Sequence, residues 1–306
     1  MVRRLIQLLT LSLAAGPAWA QVQPGANSPA PQEPRPLFPR ISGLFGDDLP
    51  QLDRPDTVKL VLRPHFGDFV RRDYLRVDTG LNWAMNDHFT LSSGALVYFT
   101  HGLRGTADGY GIGLLQFGSK YVFENWPQPG YETSLALDTS LPVGHAPIDM
   151  TDGYYHLTPT VVVQHLWTSK PRLTTFGGMG FDLINRSRVA GTFGTNQPHQ
   201  NSVSVTGGGV YDAGQLKWTL TSTLATTALI SHHSAAFFYL QPGVLWYVPK
   251  KFTLHSKTQW IVGLSARTTW GPDGLDFSLS SRLRAEITFR QVMHNLRQST
   301  SGKSPP

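Results

Sequence analysis

From Thr57 almost to its end the chain is a series of short segments in which apolar and polar residues alternate, and no segment of comparable strength repeats with a helical period. "YETSLALDTSLPVG", residues 131–144, sets Tyr131, Thr133, Leu135, Leu137, Thr139 and Leu141 on one face of an extended chain. Glu132, Ser134, Ala136, Asp138 and Ser140 fall on the other. A period of two means strand. Segments of this kind fall at 57–66, 73–84, 88–100, 110–123, 131–141, 154–168, 173–184, 201–212, 216–229, 236–248, 252–265 and 276–289. They predict an all-β chain of about twelve strands. In a soluble sheet the leucines would cover a core; in a membrane barrel they meet lipid, and the carboxylates line a wet interior.

The links between segments separate the two. "MNDH", "ENWPQPG", "TSKP", "DAGQ" and "PKK" are the even-numbered links, and most are tight turns. "HGLRGTADG", "VGHAPIDMTDG", "NRSRVAGTFGTNQPHQ", "SHHSAA" and "ARTTWGPDGL" alternate with them and are mostly longer. Short turns at one end and long loops at the other are the pattern of a transmembrane barrel with its turns in the periplasm. The aromatics divide in the same way. Trp83, Phe89, Tyr121, Phe123, Trp126, Tyr131, Trp167, Tyr211, Trp218, Trp246, Phe252 and Phe289 lie beside the short turns. Phe99, Tyr110, Tyr155, Phe181, Phe238, Trp270 and Phe277 lie toward the long loops. Amphipathic rings collect at both interfaces of a bilayer. The expectation is a transmembrane antiparallel up-and-down β-barrel over residues 57–289, with Leu135 and Leu137 toward lipid and Glu132 and Asp138 toward a polar lumen.

The chain opens "MVRRLIQLLTLSLAAGPAWA", with Arg3 and Arg4 ahead of an apolar run and Ala18-Trp19-Ala20 as a small-x-small cleavage site. Residues 1–20 therefore predict a secretory signal peptide, since the run from Leu5 to Ala15 is too short to span a bilayer. Its loss lowers the net charge from +6 to +4, a balance that does not call for nucleic acid as a partner. With no cysteine in the sequence, disulfide scaffolds, thiol catalysis and cysteine metal sites are excluded. Residues 21–56 are proline-rich and lack periodicity, which predicts a periplasmic leader. Residues 290–306 read as a polar C-terminal tail. After the signal segment no apolar run is long enough for a transmembrane helix, so insertion falls to a closed sheet.

Together the signal segment, the alternation of turns and loops, the aromatic belts and a last strand "LRAEITF" ending in Phe289 resemble Gram-negative outer-membrane β-barrel proteins. The resemblance covers residues 57–289. It implies residence in the outer membrane, contact with outer-membrane lipid, and recognition of the terminal aromatic strand by the barrel assembly machinery. The tail after Phe289 departs from that pattern by leaving the assembly signal internal.

A barrel of this size stands between filled eight-stranded barrels and open sixteen-stranded pores. Alternation sends Lys59, Arg63, Arg76, Lys257, Arg282 and Arg284 into the lumen, along with Asp78, Glu132, Asp138, Asp182 and Glu286. Closure makes the first and last strands neighbours, so the basic residues share one wall, with Glu132, Asp138 and Asp182 across from it. Opposed walls favour passage of small polar or anionic solutes, with no cofactor and no resident metal. Alternatively these groups pair and fill the lumen, giving a non-conducting structural barrel.

The enzymatic alternative rests on "SHHSAA", residues 231–236. His232 and Ser234, an i, i+2 pair on one face, resemble the base and nucleophile of outer-membrane phospholipases and lipid A deacylases. Ala235 stands where those families usually carry asparagine. Asp149 and Asp152 in "IDMTDGYY" lack the ligand spacing of a calcium loop and read as a solvated turn. "TGGGV" at 206–210 has no following lysine or helix and is no phosphate loop. Its glycines ease curvature or leave lumen space.

Overall fold

The computed structural model describes residues 57–65, 74–101, 109–144, 147, 150–167, 172–191, 198, 200–230, 234–253 and 258–288. The signal segment, the leader, Phe289, the tail, Lys257 and His232 lie outside them. Twelve strands run in chain order: β1 (Thr57–Pro64), β2 (Tyr74–Ala84), β3 (Phe89–Thr100), β4 (Tyr110–Glu124), β5 (Tyr131–Pro142), β6 (Tyr154–Leu166), β7 (Leu173–Arg186), β8 (Ser202–Ala213), β9 (Leu216–Thr226), β10 (Ala236–Tyr247), β11 (Gln259–Gly271) and β12 (Gly274–Thr288). Each pairs antiparallel with its neighbours in sequence, and β1 pairs with β12 to close the barrel. The hydrogen-bonding edges of the first and last strands are thereby paired, which the hydrocarbon of a bilayer demands.

The alternation reads directly as two faces. On β9, Lys217, Thr219, Thr221, Thr223 and Ala225 are buried, while Leu216, Trp218, Leu220 and Leu224 are exposed. Leu135 and Leu137 are exposed and Glu132 and Ser134 buried on β5. Polar side chains therefore fill the inside and leucines cover the outside, the reverse of a soluble protein. Exposed rings form a belt at each end, Tyr121, Phe123, Trp126, Trp167, Trp218 and Trp246 at one and Phe99, Tyr110, Tyr155, Phe238 and Trp270 at the other.

Eleven strands fall within three residues of their expected limits, and β11 does not. The "PKK" turn and the long loop "ARTTWGPDGL" are exchanged in character. β10 ends at Tyr247 and β11 starts only at Gln259; it then continues to Gly271, where Pro272 and Asp273 alone turn the chain into β12. Pro249 has no N–H to continue the ladder and leads into a single 3-10 turn over Lys250–Phe252. At the other end Pro272-Asp273 is followed by Gly274 at φ +99°, a conformation open to glycine, and the hairpin closes without a long loop.

Leu137 lies midway along β5, facing outward. Leu137→Arg is expected to lower stability by about 2–4 kcal/mol, as for arginine at the bilayer midplane. Ala136 faces inward opposite Lys120, so Ala136→Gln serves as the matched lumen control and is expected to fold nearly as well as the parent. Urea unfolding in lipid vesicles measures both, and equal losses would contradict the assignment of faces.

Candidate pore and its constriction

Inward positions of adjacent strands stack into two levels. In the half nearer the even-numbered links, Lys59 on β1, Glu132 on β5 and Arg284 on β12 are each only 3% exposed, and Lys120 and Lys217 are buried as well. Lys59 stands in register with Glu286 on β12, and Arg284 with Val61 on β1. Gln164 Nε2 donates to Glu132 Oε2 at 2.6 Å, Lys217 pairs with Asp212, and the Lys217 ammonium lies 5.4 Å from the centre of the Tyr247 ring. Arg282 stands in register with Gly263 on β11 and Glu286 with Gln259; their side chains lie outside the described residues.

Nearer the long loops the lumen is lined by three groups. On β1 and β2, Arg63 Nε lies 3.8 Å from Asp78 Oδ2, which also accepts from His65 Nε2 at 3.0 Å; Arg76 stands two residues before Asp78 on the same face. On β10 and β11, the Arg267 guanidinium lies 4.2 Å from the centre of the Tyr239 ring. On β6 and β7, His156 Nδ1 lies 2.9 Å from Asp182 Oδ1, and His156 Nε2 lies 2.8 Å from Asp152 Oδ2. Both carboxylates accept, so the ring donates from both nitrogens as an imidazolium between two negative charges. Thr158 Oγ1 adds a donor to Asp182 at 3.3 Å.

Met150 and Asp152, which precede β6, contribute to this level. Met150 is buried against Tyr74 and Leu96, with Tyr98 and Leu114 packed beside them, on strands that do not adjoin β6. Met150 thus packs against inward-facing side chains of β2 and β3, and Asp152 reaches His156. Asp152 is a structural partner of a lumen histidine, not part of a solvated turn; its Oδ1 accepts the Tyr154 N–H at 2.9 Å. Asp149 lies outside the described residues, and among those described no group of three or more His, Asp or Glu side chains is placed to hold a metal ion.

Two small-residue positions admit lumen side chains. A Cβ at Gly118 would collide with the Asp138 carboxylate and the Ser92 hydroxyl, and one at Gly208 would stand 2.6 Å from the Phe176 ring. The "TGGGV" glycines therefore include a seat for an inward-facing ring. Ser234 is exposed just before β10, and its sequence partner His232 lies outside the described residues.

Of the residues that the alternation assigns to the inward face, Lys59, Glu132, Asp182 and Arg284 are buried, and Arg63, Arg76, Asp78 and Asp138 are half-buried. Missing from that set were Arg267, which fell in an expected loop, and Lys120, His156 and Asp212, which the alternation of their own strands could have identified. Arg267 extends the basic wall, so that β11, β12, β1 and β2 carry Arg267, Arg284, Lys59, Arg63 and Arg76 on four adjacent strands. Glu132, Asp138 and Asp182 occupy β5 and β7 across the barrel.

Solved structures to which this chain is similar include outer-membrane channels. One from Pseudomonas putida F1 superposes with a TM-score of 0.51 at 10% sequence identity, over 78% of this chain and 98% of that one. The NanC porin gives a TM-score of 0.43 at 9% identity, over 76% of this chain and 98% of its own. No family model and no curated protein matches the sequence. The likeness is one of fold: a closed twelve-strand antiparallel barrel, apolar outside and polar inside, is the fold of a Gram-negative outer-membrane β-barrel.

Proposed function

We propose that the chain is an outer-membrane channel for small polar or anionic solutes, exported by residues 1–20 and inserted by the barrel assembly machinery. The observation that carries this reading is the basic wall of Lys59, Arg63, Arg76, Arg267 and Arg284 on four adjacent strands, facing acidic side chains across the lumen. Charge of one sign along one wall of a narrow, low-dielectric passage raises the local concentration of counter-ions and so selects among small solutes. Lys257, Arg282 and Glu286 belong to the same proposed lining by sequence. Reconstituted vesicles test it: small organic anions are expected to enter faster than cations of equal size, and equal exclusion of both would contradict it.

A second reading, a filled structural barrel, is favoured by the deep burial of Lys59, Lys120, Glu132, Lys217 and Arg284 in one half of the lumen. In that case the charges serve as a cross-linking network and the vesicles stay tight. The hydrolase alternative is tested by Ser234→Ala. Under the channel reading this exposed residue is dispensable and uptake is unchanged. Acyl hydrolysis by the parent that falls by several orders of magnitude in the variant would establish an enzyme instead.

A further inference from the structure

The link between β10 and β11 does not end as a turn at the barrel rim. Val248 N–H still donates to the Trp260 carbonyl at 3.0 Å, continuing the ladder, and a 3-10 turn over Lys250–Phe252 follows. The 3-10 turn is closed by Phe252 N–H to the Pro249 carbonyl at 2.9 Å and Thr253 N–H to the Lys250 carbonyl at 3.1 Å. It sets the Phe252 ring 6.1 Å from that of Trp246 at an interplanar angle of 60°. Between this turn and the barrel lies an apolar groove of about 530 Å³, walled by Trp246, Val248, Phe252, Trp260, Val262 and Leu283. Val262 stands in register with both Trp246 and Leu283, so the groove floor crosses three strands on the lipid-facing side.

Its rim is basic. Lys250 and Lys251 are exposed on the turn, with the Lys251 ammonium 5.0 Å from the centre of the Phe252 ring, and the turn has no acidic residue in its first positions. Residues 85–88, 125–130 and 214–215 carry no lysine or arginine, while the sixth link carries Lys170 and Arg172 in its sequence. An apolar groove that includes two tryptophans, with two adjacent exposed lysines on the turn that supplies its Phe252, matches one kind of molecule at a membrane interface: an acyl chain joined to an anionic headgroup.

We propose that this groove is a binding site for an anionic glycerophospholipid of the periplasm-facing leaflet, with an acyl chain against Trp246 and Trp260 and the headgroup phosphate on Lys250 and Lys251. The site rests on the membrane placement of the barrel and is independent of whether the lumen conducts.

Native mass spectrometry of the full detergent-purified protein tests it with phosphatidylglycerol and phosphatidylcholine as probes. The parent is expected to retain one phosphatidylglycerol at detergent concentrations that strip phosphatidylcholine. Lys250→Gln with Lys251→Gln is expected to lower that occupancy about tenfold, given the attraction each basic side chain contributes near an anionic surface. Trp260→Ala is expected to lower it through the apolar wall instead. Shifted migration of the unheated protein in SDS shows that each variant is folded, and the lysines, being exposed on a turn, are not needed for closure. Equal retention of the two lipids, or equal retention by parent and lysine variant, would overturn the proposal. A lipid-free dimer that dissociates in Trp260→Ala would also overturn it, by assigning the groove to a second copy of the chain.

Discussion

Arg267→Glu is expected to turn an anion-preferring pore toward cations. Arg267 lies against the Tyr239 ring on the inward face of β11, at the lumen level nearer the long loops. A unit charge 4 Å from a passing ion is worth about 1 kcal/mol even at the dielectric of water. Reversing it is therefore expected to change the anion-to-cation permeability ratio by about fivefold or more. The shift should be largest in dilute salt, because at 0.1 M the Debye length is already about 10 Å and screens charges at pore distances. Adding Arg63→Gln removes a second charge without setting a carboxylate beside Asp78, and the two changes should act in the same direction. A ratio that ignores both substitutions in an open channel would mean that this level does not bound the conducting path.

The second large effect is on stability. Asp182→Ala removes an acceptor from His156 and Thr158 together and leaves the imidazolium with Asp152 alone. Breaking a buried pair by deleting one partner costs about 3–5 kcal/mol, and the low end, about 3 kcal/mol, applies here because His156 keeps partial solvent access. Asp182→Asn retains an acceptor and is expected to lose less. Urea unfolding in vesicles separates the two. Identical stabilities for parent and Asp182→Ala would show that the network across β6, β7 and Asp152 does not hold the barrel together.

Much of this architecture was legible in the sequence because a barrel strand repeats every second residue and each face meets a different solvent. Glu132 and Leu135 could be sent to opposite sides without knowing any partner strand, and closure then placed Lys59 and Arg284 on neighbouring strands. The reading failed where a local signal outweighed the period. "ARTTWGPDGL" looks like a loop because of its proline and glycines, yet Arg267 and Thr269 continue the inward face of β11 while Thr268 and Trp270 continue the outward one. "YVPKKF" looks like a tight turn because Pro249 stops the ladder; nothing local says that Phe252 returns to Trp246. The place of Met150 was illegible for another reason. Met150 packs on Tyr74 and Leu96, more than fifty residues away in sequence, and such a contact has no periodicity to reveal it.

The central claim, a lumen that conducts with a preference for anions, is tested most directly by the reversal potential of the unmodified protein in a planar bilayer under a salt gradient. The account predicts discrete channel openings with a reversal potential of the sign set by anion flow, growing as the salt is diluted. A folded, heat-modifiable barrel that inserts yet passes no current, or a current that reverses with the opposite sign, would contradict it.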